Sequence, residues 1–133
     1  MEQHRILIID DEEDLCWALS SALRPVSRDV TSINTGAEAL ALLETNEYAV
    51  VFIDAKLPDL DGLALVDRII QNHRRTSIIM ISGYYYQEDQ TITDGLKANQ
   101  FVGFIAKPFK IDEVRWLTRQ AIERSVEAGK WII

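Results

Sequence analysis

Four short apolar runs constrain this chain more than any other feature. They are Ile6-Leu7-Ile8-Ile9, Ala49-Val50-Val51-Phe52-Ile53, Ile78-Ile79-Met80-Ile81 and Phe101-Val102-Gly103-Phe104-Ile105-Ala106. Each has the length of a strand, and most of the residues are β-branched or aromatic. A half-buried strand alternates apolar with polar, but these runs are apolar at nearly every position. They therefore read as strands covered on both faces, as in a parallel sheet. A fifth segment, Asp29-Val30-Thr31-Ser32-Ile33, mixes polar with apolar residues and suits a sheet edge.

Helical patterns fill the intervals. Leu15, Ala18, Leu19, Ala22 and Leu23 recur at i, i+3, i+4 spacing, and Pro25 closes that helix. Thr35-Gly36-Ala37-Glu38 reads as a capping box that opens a second helix through Leu43. Leu63, Val66, Ile69 and Ile70 mark a third, and a fourth is expected from about Gln87 to Ala98. The fifth is expected from about Ile111 to Ala128. It has Val114, Leu117, Ala121 and Ile122 on its inner face and Gly129 as its C-cap.

The order is strand then helix, five times over. Right-handed crossovers then place helices on both faces of one sheet. The polar second strand at an edge predicts an α/β, flavodoxin-like, doubly wound five-stranded parallel sheet in the order 2-1-3-4-5, with five helices. A length of 133 residues, 47% of them apolar, suits one domain over 1–133, with a core of about 4–128 and a short apolar tail at 129–133. Trp131-Ile132-Ile133 could pack on the last helix, mediate dimerisation, or mark where a longer protein was cut.

Composition narrows the function classes. The net charge of −7 makes the chain a poor partner for phosphate backbones, so no direct nucleic-acid contact is expected. No stretch approaches the roughly 18 apolar residues of a membrane span, and the N-terminus lacks a signal peptide's apolar core. A cytoplasmic location without membrane contact is the expectation. The single cysteine, Cys16, excludes an internal disulfide and sits among apolar neighbours, as a buried thiol would. His4 and His73 have no catalytic context and read as surface residues.

In such a sheet, ligands bind at the carboxyl ends of the strands. Strand 1 ends in Asp10-Asp11, strand 3 in Asp54, strand 4 in Ser82-Gly83 and strand 5 in Lys107-Pro108. Three carboxylates, a hydroxyl and an ammonium thus meet on one rim. Glu12, Glu13 and Asp14 read instead as acids of a helix start. Crowded carboxylates repel, and burial raises the cost. A hard divalent cation, Mg²⁺ or Mn²⁺, relieves this with oxygen ligands from Asp10, Asp11, Asp54 and the backbone carbonyl of Lys56. Three carboxylates and one ammonium leave two net negative charges, which one such ion neutralises. A carboxylate beside the ion can attack phosphorus and form an acyl phosphate, with Lys107 and the Ser82 hydroxyl balancing the phosphoryl oxygens. Asp54, ending the central strand, is the candidate nucleophile.

These segments together resemble the receiver domain of bacterial two-component response regulators. The resemblance rests on Ile6–Glu12, on Phe52-Ile53-Asp54-Ala55-Lys56-Leu57-Pro58-Asp59-Leu60-Asp61-Gly62, on Ile81-Ser82-Gly83-Tyr84 and on Gly103–Phe109. It implies that Asp54 accepts a phosphoryl group from a histidine kinase or phosphotransfer protein, with Asp10 and Asp11 on the metal. It also implies that Lys107 contacts the phosphoryl group across a cis Lys107-Pro108 bond, and that Ser82 and Phe104 form the switch pair. Lys56 and Tyr84 would tune phosphoryl lifetime. The surface of the fourth helix, fifth strand and fifth helix would change on phosphorylation. There a downstream protein, or a second copy, would dock. No output domain follows the last helix, so a stand-alone regulator and an excised receiver are both open.

The chain departs from the family between Ser82 and Lys107, where the spacing is longer, Tyr84-Tyr85-Tyr86 opens the segment and Asn99-Gln100-Phe101 replaces the usual small turn. The resemblance implies a switch, whose only chemistry is Mg²⁺-dependent self-phosphorylation and its reversal, rather than an enzyme. The alternative is a Mg²⁺-dependent phosphohydrolase with an aspartyl-phosphate intermediate. It would need Asp-x-Asp after strand 1, where this chain has Asp10-Asp11-Glu12. A flavodoxin would need hydroxyls and amides in that loop, which is acidic here.

Overall fold

The computed structural model describes residues 4–83 and 101–130. In chain order these hold β1 (Ile6–Ile9), α1 (Glu13–Leu23), β2 (Val30–Ile33), α2 (Gly36–Thr45), β3 (Val50–Asp54), α3 (Gly62–Asn72), β4 (Ser77–Ser82), β5 (Gly103–Ala106) and a C-terminal helix (Ile111–Lys130). The helix expected from about Gln87 to Ala98 lies outside the described residues. So do the Tyr84-Tyr85-Tyr86 run, Asn99-Gln100 and the Trp131-Ile132-Ile133 ending.

The sheet has five parallel strands in the order β2-β1-β3-β4-β5, as the runs predict. β1, β3 and β4 are buried at every position, while the edge strand β2 is fully buried only at Ile33. Side chains alternate between the two faces. Leu7, Ile9, Val51, Ile53, Ile78 and Met80 pack with Leu43 of α2 and Leu65, Val66 and Ile69 of α3. Ile6, Ile8, Phe52, Ile79, Ile81 and Ile105 pack with Cys16 and Leu19 of α1 and with Val114 and Ala121 of the C-terminal helix. Each face is thus sealed by two described helices, which is why the strands carry no polar face.

Several local expectations need correction. Ile70 is 38% exposed, and Leu65 takes the inward place. The sheet-facing stripe of α3 is Leu65, Val66 and Ile69, and one residue further turns the side chain about 100° away. Gly129 does not cap the last helix, which continues through Lys130. A glycine inside a helix costs only about 1 kcal/mol, and a long packed helix tolerates it. α2 runs to Thr45 rather than Leu43. His73 is only partly exposed, its side chain 12% accessible, with its Nδ1 3.3 Å from Glu47 Oε1 at the C-terminus of α3. The inner face of the C-terminal helix includes buried Thr118 and Ser125 alongside the apolar residues, and the Thr118 hydroxyl donates to the Val114 carbonyl at 2.6 Å.

Candidate functional site

The strand alternation that buries Ile6 and Ile8, Val50 and Phe52, and Ile105 on one face carries Asp10, Asp54 and Lys107 to the same side just where the strands end. Parallel hydrogen bonding holds those ends level. Asp10 N donates to Ile33 O at 3.1 Å, Ala55 N to Ile81 O at 3.0 Å, and Lys107 N to Ser82 O at 2.8 Å. The Lys107-Pro108 peptide is cis.

Lys107 is the hub. Its Nζ stands 3.0 Å from Asp10 Oδ2, 2.9 Å from Glu12 Oε1 and 3.5 Å from Asp54 Oδ2. The approach to Asp10 Oδ2 is at ion-pair distance but poorly directed for a hydrogen bond, so it acts through charge. The other oxygens of the two buried acids are held by backbone. Asp10 Oδ1 accepts from Glu12 N at 2.8 Å, and Asp54 Oδ1 accepts from Lys56 N at 3.1 Å.

Burial dominates the titration of these acids. It pushes the Asp10 carboxyl up to about 6, reinforced by the charge of Asp54 and opposed by the Glu12 amide and by Lys107. It also raises Asp54, against the Lys56 amide and Lys107, with Asp11 adding to the rise. For Lys107, burial disfavours the ammonium, but Glu12, Asp10 and Asp54 outweigh it and the net shift is upward. These acids are costly to ionise together unless more positive charge arrives.

The carboxylate oxygens of Asp10, Asp11 and Glu12 lie within 4.8 Å of one another, with Asp10 buried and the other two exposed. This all-oxygen donor set, with one buried acid held above its usual range, fits a hard cation such as Mg²⁺. Asp54 joins the group through Lys107. Glu12 is the residue sequence reasoning missed: it was read as a helix-start acid, yet it makes the shortest contact to Lys107. Only the folded sheet, which brings the ends of β1 and β5 to one rim, reveals that contact, which spans 95 positions.

The other expected residues fall around this core. Ser82 ends β4 and is 2% exposed. Phe104 lies in β5 opposite Met80, half-buried against the α2 and α3 side. The Lys56 side chain is exposed. Tyr84 lies outside the described residues. Cys16 is buried as expected, its Sγ donating to Asp10 O at 3.4 Å, and burial pushes the thiol up to about 11.

The loop after β3 explains how Asp54 is presented. Gly62 N donates to Ala55 O at 3.2 Å, and Lys56 bridges Asp61 across the loop's neck. A Cβ on Gly62 would run into the backbone oxygen of Asp54, so the close approach of α3 to the end of β3 requires glycine there. Asp61 caps α3 by accepting from Leu63 N at 2.9 Å.

The described residues thus form a doubly wound parallel sheet with two buried carboxylates and a lysine at its carboxyl rim. The sequence matches the response regulator receiver domain family over residues 6–119, and the chain belongs to that family. It is 37% identical over 122 residues to the transcriptional regulatory protein KdpE of Staphylococcus aureus, covering 92% of this chain and 51% of that protein. It is 34% identical over 129 residues to the response regulator protein PilR of Pseudomonas aeruginosa, covering 96% of this chain and 28% of that protein. The chain thus spans about half the length of one of these curated relatives and under a third of the other. Among solved structures, the signal receiver domain of an HD domain-containing protein from Pseudomonas fluorescens Pf-5 superposes with a TM-score of 0.88 at 25% identity, covering 99% of this chain and 96% of that one. The receiver domain of a Francisella response regulator gives a TM-score of 0.79 at 29% identity, covering 92% and 98%. Among the described residues, no helix is long and apolar enough to cross a membrane.

Proposed function

We propose that this chain is a phosphorylation-controlled switch of a two-component system that accepts a phosphoryl group on Asp54 from a histidine kinase or phosphotransfer protein. The observation that carries the reading is the convergence of Lys107 on Asp10, Glu12 and Asp54 within 3.5 Å at the sheet's carboxyl rim. Asp54 is the nucleophile: it ends the central strand, and its Oδ1 is oriented by the Lys56 amide. It needs no base, because a carboxylate is already anionic. Asp10, Asp11, Asp54 and the Lys56 carbonyl would hold Mg²⁺ or Mn²⁺, which when bound supplies charge to the phosphoryl oxygens. Lys107 would also balance those oxygens, and its upward shift keeps it charged.

Ser82 and Phe104 form the switch: the hydroxyl at the end of β4 turns to the phosphoryl group, and the half-buried ring follows inward. The rearranged surface around β5 and the C-terminal helix would then dock a downstream protein, a linked output domain or a second copy. Lys56 and Tyr84 would set the lifetime of the acyl phosphate. We place the protein in the cytoplasm and take residues 1–133 as one receiver domain, on the family match and the two continuous cores. The phosphohydrolase alternative finds no support among the relatives, which are named as regulators.

The test is binding of beryllofluoride, a phosphoryl mimic, followed by amide NMR. The reading expects shifts around Asp54, Ser82 and Lys107 only when Mg²⁺ is present, and none in Asp54→Ala. Binding that ignores Mg²⁺, or survives in Asp54→Ala, would remove it.

A further inference from the structure

Asp59 sits at the tip of the loop after β3, exposed to solvent, and by sequence it is an ordinary turn acid. Its carboxylate nevertheless grips another element with both oxygens. Oδ1 accepts from Gly36 N at 2.8 Å and Oδ2 from Ala37 N at 2.9 Å, the first two amides of α2. These amides hold the Asp59 carboxyl below its ordinary range.

The remaining amides of that turn are taken locally. Glu38 N donates to Thr35 Oγ1 at 3.2 Å, and Ala39 N to Thr35 O at 3.2 Å. The N-terminal donors of α2 are therefore divided between its own cap residue and a carboxylate 22 or more positions away. Leu60, the next residue, closes over Gly36 so tightly that a Cβ there would meet its side chain.

We propose that Asp59 is a positioning residue for the Asp54 site: by clamping the loop tip to α2 it fixes the placement of Lys56. The proposal rests on the reading of Asp54 as phosphoacceptor with the Lys56 carbonyl facing the cation. The loop's neck is closed at Ala55–Gly62 and at Lys56–Asp61, so a tip held still transmits to Lys56 through only a few residues. Lys56 matters twice, through the amide that orients Asp54 Oδ1 and through the carbonyl beyond it. A carboxylate on two amides of a helix N-terminus is also favoured by the helix dipole, which suits it to hold a loop rather than merely decorate one.

The test separates this role from simple capping of α2. Asp59→Ala, Asp59→Asn and Thr35→Ala are compared in the full chain, by Mg²⁺ titration and by hydrogen exchange at the Lys56 amide. Thr35→Ala weakens the same helix without touching the loop. Asp59→Ala should weaken Mg²⁺ binding on the order of tenfold, the usual scale for residues that orient metal ligands, and should speed exchange at Lys56. Asp59→Asn, which keeps one acceptor, should fall between. Thr35→Ala should leave Mg²⁺ affinity near the parent's, because the Thr35 hydroxyl bonds Glu38 of α2 rather than the loop. Equal Mg²⁺ affinity in all four proteins, or equal losses in Asp59→Ala and Thr35→Ala, overturns the proposal. If the parent binds no Mg²⁺, the reading of the Asp54 site fails instead. Exchange at Lys56 then still decides whether Asp59 holds the loop.

Discussion

Lys107 lies closer to Glu12 than to Asp54, at 2.9 Å against 3.5 Å. The ammonium is therefore shared, and part of its charge is held at the mouth of the site by a side chain that is 60% exposed. Glu12→Gln should release Lys107 toward Asp54 and remove one negative charge from the path of an anionic phosphodonor. At saturating Mg²⁺ we expect labelling by acetyl phosphate to quicken about two- to fivefold, the range of an exposed ion pair worth roughly 0.5–1 kcal/mol. The gain should shrink with added salt. Slower labelling under those conditions would show that Glu12 assists rather than restrains Lys107.

The buried acids predict an unusual pH dependence. The Asp10 carboxyl holds its proton up to about pH 6 in the folded chain, against an ordinary value of 3.8. Between those values the folded state binds the extra proton, so stability falls as pH rises and levels off above about 6. The loss is at most about 3 kcal/mol. Asp54, also raised, acts with the same sign. Asp59, whose value is lowered, acts with the opposite sign but only below its ordinary value, outside this window. Urea midpoints in chelator should therefore drop from pH 5 to pH 7, and Asp10→Asn should flatten the slope. Mg²⁺ should restore stability at pH 7. A midpoint that rises over this range would contradict the assignment.

Glycines at the two ends of the sheet's packing give a stability contrast. Overpacking usually costs about 1–3 kcal/mol. A methyl on Gly62 would strike the Asp54 backbone, which cannot yield, whereas one on Gly103 would first meet the Leu117 side chain at 2.6 Å. Gly62→Ala should therefore fall at or above the top of that range in urea denaturation, and Gly103→Ala near the bottom. The reverse order would mean that the α3 start is looser than the structure shows.

The Cys16 thiol, 4% exposed and pushed up to about 11, should resist alkylation by iodoacetamide at pH 8. Its modification should track global unfolding by urea. Rapid reaction in the folded protein would show that α1 opens locally.

The strands were legible because burial on both faces leaves an uninterrupted apolar signature, as in Ile6–Ile9 and Ile78–Ile81. The placement of Asp10, Asp54, Ser82 and Lys107 on one rim was legible because a parallel sheet delivers its strand ends to one side. What escaped were features made by pairs distant in sequence. Glu12 finds Lys107 and Asp59 finds Gly36 only after the crossovers close, and neither acid differs in local context from a solvated one. His73 escaped for a related reason: its neighbour Glu47 stands on the loop before β3, far from it in sequence. Ile70 was misplaced because α3 buries a narrower stripe than its apolar content suggests.

The assignment of Asp54 as phosphoacceptor depends on where a phosphoryl group goes. Intact-mass spectrometry of the full chain with Mg²⁺ and acetyl phosphate should show the addition of one phosphoryl group, lost again in chelator-free buffer as the acyl phosphate hydrolyses. Asp54→Ala should gain none under the same conditions. No mass gain in the parent protein, or an undiminished gain in Asp54→Ala, would contradict it.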